Sequence, residues 1–452
     1  MSDELDRVNA DLEAESPAAA ALLSPLGRRA VFPRGIPYQA AEARGKAFNG
    51  TIGQITDGRG GALALPSLTA GLALGADGEG GPVGLDRALL YSPIDGLPEL
   101  RRAWRDRQRR DAPDEVDSSL PLVTCGLTHG LSLVADLFAG EGRAVAVAEP
   151  FWGNYRQTFT TRTGARLVSA PAYRDGRFDP RAPAAALAGL PPGAPAVVLL
   201  NFPSNPGGYS PTPAERRTVA DSLLAAAERR PLLVVCDDAY AGLVYEEGIP
   251  RGSMFWELAG RHPDLVAVKV DGATKELAFF GGRVGFLTFP FAPGSPAAAA
   301  LESKVKGLLR AAVGSPVATS QALVARALAS PSVEEEIEAI RRVLAGRWRA
   351  LRHALGRCDP ALLASPPFNS GCFALVELVG RAAGLDPERV RRHLLDRHDT
   401  GLVSVAPRWL RIAHCSVAEP DLPELVRRLE RGVAELAGRG DESVRRSVHS
   451  RG

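Results

Sequence analysis

Residues from about 120 to 290 predict an open, mostly parallel seven-stranded α/β sheet, and the residues after about 325 predict a smaller α+β domain. Three observations carry that expectation. Seven short apolar, β-branched-rich runs follow one another at 122–125, 144–148, 166–170, 196–201, 232–236, 265–270 and 284–288. They lack polar alternation, as strands buried on both faces do. Segments with helical content, such as 212–229, separate several of them, which is the texture of a sheet with helices on both sides.

The texture changes past residue 325. Ser332 with Glu335 reads as a capping box, and Val333, Ile337, Ile340, Leu344, Trp348 and Leu351 then recur at helical spacing. Asp421 with Glu424 opens a last amphipathic helix carrying Leu425, Leu429, Val433 and Leu436. Residues 371–376 and 410–413 read as strands between these helices. The division expected is an N-terminal segment (1–65) packed on the small domain or a subunit interface, a large domain (66–325), a small domain (326–437) and a disordered tail (438–452), which is charged and contains Gly and Ser.

The chain has 452 residues, 45% of them hydrophobic and 23% charged, with a formal net charge of +2. That is a globular composition, and the charge offers no case for nucleic acid or a membrane surface as partner. Five cysteines (Cys125, Cys236, Cys358, Cys372, Cys415) are scattered without a Cys-x-x-Cys pair, so neither a disulfide framework nor a zinc knuckle is indicated. The acidic N-terminus lacks a basic-then-apolar signal, and no apolar stretch reaches the ~18 residues of a spanning helix. A cytoplasmic enzyme is expected.

Lysine is rare in this arginine-rich chain, with Lys275 one of five. It follows the 265–270 run, and Arg283 comes eight residues later. An amine able to form a Schiff base and a guanidinium able to clamp a phosphate suit pyridoxal 5′-phosphate, an aldehyde that carries a phosphate. Other suspicious residues also fall at the C-terminal ends of predicted strands, the edge where such sheets bind ligands. In Gly126-Leu-Thr-His-Gly-Leu131, the amides of Leu127 and Thr128 and the Thr128 hydroxyl suit a phosphate at a helix N-terminus, or an ordinary helix cap. Trp152 is placed to stack on a flat ring, or to fill core. The Pro- and Gly-rich turn Asn201-Phe-Pro-Ser-Asn-Pro-Gly-Gly208 holds Asn205 rigidly. Asp237, after an apolar run, arrives with little water and needs a cation such as a protonated ring nitrogen. Tyr240, three residues on, suits the phenolic oxygen of the same ring. Singly, each also reads as a solvated or core side chain. Their order and spacing together are the signal.

With these motifs, the chain resembles the fold-type-I pyridoxal-phosphate-dependent aminotransferases, most closely the aspartate/aromatic branch, from about Tyr91 to Leu436. The resemblance implies that Trp152 stacks on the cofactor ring, that Asn205 and Tyr240 hydrogen-bond its phenolic oxygen, and that Asp237 pairs with its ring nitrogen. It makes Lys275 the Schiff-base lysine, with Arg283, Thr274, Thr128 and Leu127 at the phosphate. Tyr91, in Tyr91-Ser-Pro-Ile-Asp-Gly-Leu-Pro-Glu99, matches the tyrosine that reaches the phosphate of a neighbouring subunit, so a homodimer is implied. Arg411 matches the arginine that grips the substrate carboxylate, and Asn205, Arg310 and Gly53 complete the substrate-facing set. Two departures stand out. Gly272 replaces the serine usual three residues before the lysine, and the stretch after Arg310 diverges, with Gly314 where a hydroxyl is common.

The function implied is amino-group transfer between an L-amino acid and a 2-oxo acid, through a Schiff base on Lys275 and a quinonoid intermediate. Lys275 would serve as the base, and Asp237 would keep the ring protonated. A charge pair near 4 Å at an effective dielectric of about 20 is worth ~4 kcal/mol. The alternative is a relative turned to elimination, replacement or oxidation, for instance on an S-adenosylmethionine-like substrate, favoured by Gly272 and the stretch after Arg310. A cofactor-sensing regulator would need a DNA-binding segment in front, and no helix-turn-helix pattern or basic excess is present there. A nicotinamide dehydrogenase would need a Gly-x-Gly-x-x-Gly after its first strands, and none follows.

Overall fold

The computed structural model describes residues 2–15, 23, 25–29, 35–59, 61–72, 74–75, 83–84 and 88–449. Each of the seven runs is a strand, and together they form one sheet. They are β1 (Leu122–Thr124), β2 (Ala144–Glu149), β3 (Arg166–Pro171), β4 (Ala196–Asn201), β5 (Leu232–Asp237), β6 (Leu265–Gly272) and β7 (Gly285–Thr288). Their order across the sheet is β1-β7-β6-β5-β4-β2-β3. Strands β6, β5, β4, β2 and β3 pair in parallel, whereas β7 is antiparallel to both β6 and β1.

The absence of polar alternation has a direct cause. Along β2, β4, β5 and β6, successive side chains enter two separate cores, one on each face of the sheet. Val145, Val197, Leu199, Leu233, Val235, Val268 and Val270 share the first core with Trp104 of α1 (Pro98–Gln108) and Leu131 of α2 (Leu127–Phe138). Ala146, Val198, Leu200, Val234 and Ala267 share the second with Val219 and Leu223 of α3 (Pro213–Ala227). Each buried valine or leucine contributes about 1.5–3 kcal/mol relative to exposure, so both faces hold the sheet. A capping box starts α3: the Thr212 hydroxyl accepts from the Glu215 amide, and the Glu215 carboxylate accepts from the Thr212 amide.

A charged cluster lies inside this apolar frame. Lys269 of β6 is buried, with Nζ 2.5 Å from Asp238 and 3.2 Å from Asp271. Trp104 Nε1 and Gln108 Nε2 of α1 donate to Asp271 at 3.1 and 3.0 Å, and the Ser253 hydroxyl donates to Asp238 at 2.6 Å. Burial disfavours the ammonium, but Asp238 and Asp271 more than offset it and keep the lysine charged.

The small domain has a four-stranded antiparallel sheet in the order β8-β9-β11-β10. Its strands are β8 (Leu363–Ala364), β9 (Phe373–Leu378), β10 (Val403–Val405) and β11 (Trp409–Ala413). Three helices accompany it: α4 (Val333–Leu355), α5 (Pro387–Arg397) and α6 (Leu422–His449). The expected helical stripes are the buried ones, with Trp348 and Leu351 of α4 packed on Leu425, Leu429, Val433 and Leu436 of α6. The expected cap of α4 is a correction. Ser332 makes no capping hydrogen bond to the helix amides, because its hydroxyl donates to Glu336 instead, at 2.8 Å. The backbone of α6 continues through most of the segment whose composition predicts disorder.

Part of the N-terminal segment packs on the small domain. Phe48–Asn49 pairs in parallel with Thr400–Gly401. Arg391 of α5 donates to Glu42 at 2.6 Å, and Gln39 donates to Ser404 at 3.0 Å. Among the described residues no helix is long and apolar enough to cross a membrane.

Removing the Lys269 amine would strand two buried carboxylates. Lys269→Ala is expected to destabilise the protein by about 3–5 kcal/mol, measured by urea unfolding. A loss below ~1 kcal/mol would contradict the pairing.

Candidate active site

The parallel strands deliver their C-terminal ends to one edge of the sheet, and hydrogen bonds join those ends to each other and to the small domain. At the tip of β4, Asn201 Nδ2 donates to the Asp237 carbonyl at 2.8 Å, and the Asn205 amide donates to Asn201 Oδ1 at 2.7 Å. Asn205 Oδ1 in turn accepts from Arg411 Nη1 of β11 at 3.1 Å. The two asparagines of the Pro/Gly turn therefore connect three structural elements.

Asp237 ends β5 and is 3% exposed. Tyr155 donates its hydroxyl to Oδ2 at 2.5 Å, and the Ala239 amide donates to Oδ1 at 3.2 Å. Burial still dominates, raising the carboxyl to about 6 despite the Tyr155 hydrogen bond and the nearby Lys275 charge. Tyr155 was not singled out in the sequence, where its one hint is the position three residues after Trp152. It is fully buried and meets the Trp152 ring edge-on, with centroids 5.5 Å apart.

Lys275 sits on the short helix Ala273–Glu276 that follows β6. Its Nζ lies 5.1 Å from the centre of the buried Tyr240 ring. Desolvation lowers the amine's pKa, and Asp237 opposes that effect only in part. A carboxylate pushed up and an amine pushed down in one place are a signature of a chemically active site.

A second group of residues gathers where α2 begins. Gly126 precedes α2 at φ 84°, and a Cβ there would lie 2.4 Å from Arg283 Nη2, so only glycine admits the guanidinium. The amides of Leu127 and Thr128 open the helix, at the positive end of its dipole. Thr274 is buried, and its Oγ1 has no hydrogen-bond partner within the protein. An orphaned buried hydroxyl beside the lysine, a helix N-terminus and a guanidinium fit a bound phosphate. The buried carboxylate fits a protonated ring. At Gly272 a Cβ would stand 2.6 Å from the Val284 carbonyl oxygen, so the serine usual there in the family has no room.

Arg411 forms the third group. It is 1% exposed, and burial lowers its pKa to about 10. Nη2 donates to the Thr51 carbonyl at 2.6 Å, Nε has no partner, and the guanidinium lies 4.3 Å from the centre of the Phe373 ring. Phe373 also meets Tyr240 edge-on at 5.5 Å. A Cβ on Gly53 would stand 2.5 Å from Phe373 Cζ, which accounts for glycine there. Thr128 and Trp152 are half-buried and Leu127 is buried. Tyr91, 95% exposed, and Arg310, at the exposed end of the helix Pro296–Ala312, are surface residues of the single chain and are not brought to Lys275.

The Asp237 environment makes stability depend on pH. Its carboxyl titrates near 3.8 when unfolded and about 6 when folded, so between those values the folded, cofactor-free protein binds the extra proton. Stability from this group is complete below pH ~4 and is lost as pH rises through ~6, on the order of 3 kcal/mol. Asp237→Asn should remove that slope in urea unfolding of the cofactor-free protein. Identical slopes in the two proteins would contradict it.

The profile described as "Aminotransferase class I and II" matches residues 86–429, most of the chain and all seven strands. The chain is 28% identical over 371 residues to the 2-aminoadipate transaminase of Thermus thermophilus, spanning 77% of this chain and 82% of that protein. It is 31% identical over 200 residues to the valine–pyruvate aminotransferase of Mycobacterium tuberculosis, a match spanning 44% of this chain and 48% of that one. Among solved structures, an aminotransferase from Anaerococcus prevotii superposes with a TM-score of 0.76 at 20% identity, covering 90% of this chain and 98% of that one. The α-aminoadipate aminotransferase LysN of Thermus thermophilus, in complex with N-(5′-phosphopyridoxyl)-L-leucine, gives 0.70 at 23% identity, covering 93% and 99%. The chain therefore belongs to the class I and II aminotransferases, which move amino groups with pyridoxal 5′-phosphate as cofactor.

Proposed function

We propose that this chain transfers an amino group between an L-amino acid and a 2-oxo acid, with Lys275 as the catalytic base and Asp237 as the counter-ion of the cofactor ring. The observation that carries the reading is the Asp237 carboxylate, 3% exposed and raised to about 6, in one site with a desolvated amine. When bound, pyridoxal 5′-phosphate supplies an aldehyde that condenses with amines and a protonated ring that accepts the electron pair left when the α-carbon loses a proton.

The protein's own groups divide the remaining work. Lys275 holds the cofactor through its amine until the substrate's amino group displaces it. Its freed Nζ would then take the proton from the substrate α-carbon and deliver it to the cofactor carbon that had been the aldehyde, so that hydrolysis releases the 2-oxo acid. Burial favours the neutral amine at Nζ, the form a base needs. Asp237 keeps its negative charge against the ring nitrogen, and Tyr155 fixes the carboxylate from behind. Asn205 and Tyr240 face the ring's phenolic oxygen, while Trp152 covers the ring. Arg283, Thr128, Thr274 and the amide of Leu127 take the phosphate, the Thr274 hydroxyl being a buried donor that the protein leaves without a partner. Arg411 orients the substrate carboxylate. Asn205 and Gly53 complete the substrate pocket, Gly53 by leaving room for Phe373, and Arg310, exposed on the single chain, is assigned to a substrate's distal carboxylate.

Tyr91 acts on the phosphate of the neighbouring subunit, so the working unit is a homodimer. Its 95% exposure in the single chain supports that assignment. The five free cysteines support a reducing, cytoplasmic setting. The names of the relatives favour amino-group transfer over elimination or replacement.

Purified enzyme with 2-oxoglutarate and a panel of L-amino acids is expected to produce glutamate. Lys275→Ala should lower that rate by at least about 10²–10⁴-fold, and an unchanged rate would refute the assignment of the base. The subunit assignment has its own test. Tyr91→Ala and Lys275→Ala proteins are each expected to be nearly inactive, but refolding them together should restore activity. A mixed dimer holds one site with an intact Lys275 and its neighbour's intact Tyr91. No recovery on mixing would place Tyr91 in its own subunit's site, or outside both.

A further inference from the structure

On the small domain, the end of α5 and the last helix α6 bring two imidazoles to one carboxylate. His393 lies in α5, His398 caps its C-terminus, and Glu435 lies in α6. His393 Nε2 is 2.7 Å from Glu435 Oε2, and His398 Nε2 is 3.1 Å from the same oxygen. The candidate ligand atoms all lie within 4.8 Å of one another. None of these elements carries a residue that faces the cofactor.

We infer that His393, His398 and Glu435 form a binding site for one divalent transition-metal ion of the zinc class per subunit. Both imidazoles aim Nε2 at the same carboxylate oxygen, so three possible ligand atoms converge. A cation there would take three protein ligands, two nitrogens and one carboxylate oxygen. The ring geometry agrees. With Zn–N of about 2.0–2.1 Å and a ring centre roughly 1.1 Å behind the nitrogen, two imidazoles on one tetrahedral ion have centroids about 5.2 Å apart. The His393 and His398 centroids are 5.2 Å apart, with ring planes inclined at 66°.

The surroundings hold this arrangement in place. The His398 carbonyl accepts from Thr400 Oγ1 and from Arg428 Nη1, both at 2.8 Å, which fixes the backbone as it leaves α5. Asp399, next in line, turns the chain at φ 49°. On α6, one turn before Glu435, stands Gly432. A Cβ there would lie 3.2 Å from His398 Cδ2, 3.3 Å from its Nε2 and 2.7 Å from Leu394 Cδ2. Glycine inside a helix costs about 1 kcal/mol relative to alanine, and here it admits the imidazole beside the carboxylate. The side chains of His393 and His398 are 12% and 7% exposed, while that of Glu435 is 40% exposed. An ion can therefore enter from the Glu435 side and keep a water as its fourth ligand, as two-histidine, one-carboxylate zinc sites do. Bound there, it ties α5 to α6.

The test uses the cofactor-loaded enzyme, stripped with a chelator and titrated with Zn²⁺ alone against a chromophoric competitor. The wild type is expected to bind one equivalent per subunit at this site and to rise in Tm by a few degrees. His398→Ala, Glu435→Gln and the more exposed His393→Gln are expected to weaken that equivalent at least tenfold and to lose the Tm rise. Cofactor absorbance and glutamate formation should stay as in the wild type, which keeps a folding defect apart from a lost site. His393→Gln serves if His398→Ala folds poorly. A wild type that takes up no zinc, or folded variants that take up as much as the wild type, would overturn the proposal. Because the readout is metal uptake, its failure leaves the assignments at Lys275 and Asp237 untouched.

Discussion

The buried carboxylate of Asp237 is the constraint around which the site is arranged. Two aspartates stand side by side after the apolar core of β5, and their side chains part. Asp238 meets Lys269 inside the large domain, so its charge is neutralised by the protein itself. Asp237 meets only the hydroxyl of Tyr155 and a backbone amide, neither of which carries a charge. An ionised carboxylate so poorly solvated is expensive unless a cation joins it. The protein thus pairs one aspartate with an internal cation and leaves its neighbour without an ion pair among the described residues.

The rest of the site follows from where that carboxylate stands. Parallel pairing of β4, β5 and β6 puts Asn205, Asp237 and Lys275 on one edge. The antiparallel strand β7 then returns the chain, with Arg283 just before it, to the start of α2. Gly126 and Gly272 are what close packing at that junction requires, the first for the Arg283 guanidinium and the second for the Val284 carbonyl. The missing serine hydroxyl at 272 is therefore a steric outcome of how β6 and β7 meet.

The central sheet was legible because burial on both faces leaves an unmistakable run of apolar residues, and such runs locate every strand of it. Strand ends were legible for the same reason, since a polar residue after such a run must be doing something other than packing. What escaped had no pattern to betray it. Tyr155 looks like one more aromatic near Trp152, and only the fold shows that its hydroxyl ends at Asp237. Lys269 sits within an apolar strand, and its partners come from the residue after β5 and from two positions further along β6. Ser332 carries the composition of a cap, but Glu336 competes for its hydroxyl. Tyr91 and Arg310 are exposed on the single chain, so its packing gives neither a partner that would have marked it.

Residues 48–56 link the two domains, since Ile55 joins the first core of the sheet while Phe48 packs against the small domain. Phe48 and Asn49 extend a strand pair, the Thr51 carbonyl holds Arg411, Gly53 accommodates Phe373, and the Thr56 carbonyl accepts from Arg347 at 2.8 Å. Anyone trimming this protein for engineering should regard that strip as a tie between the domains. A version cut back past Thr56 would take Ile55 out of the first core and would leave the Arg411 and Arg347 guanidinium groups without the carbonyls that now hold them.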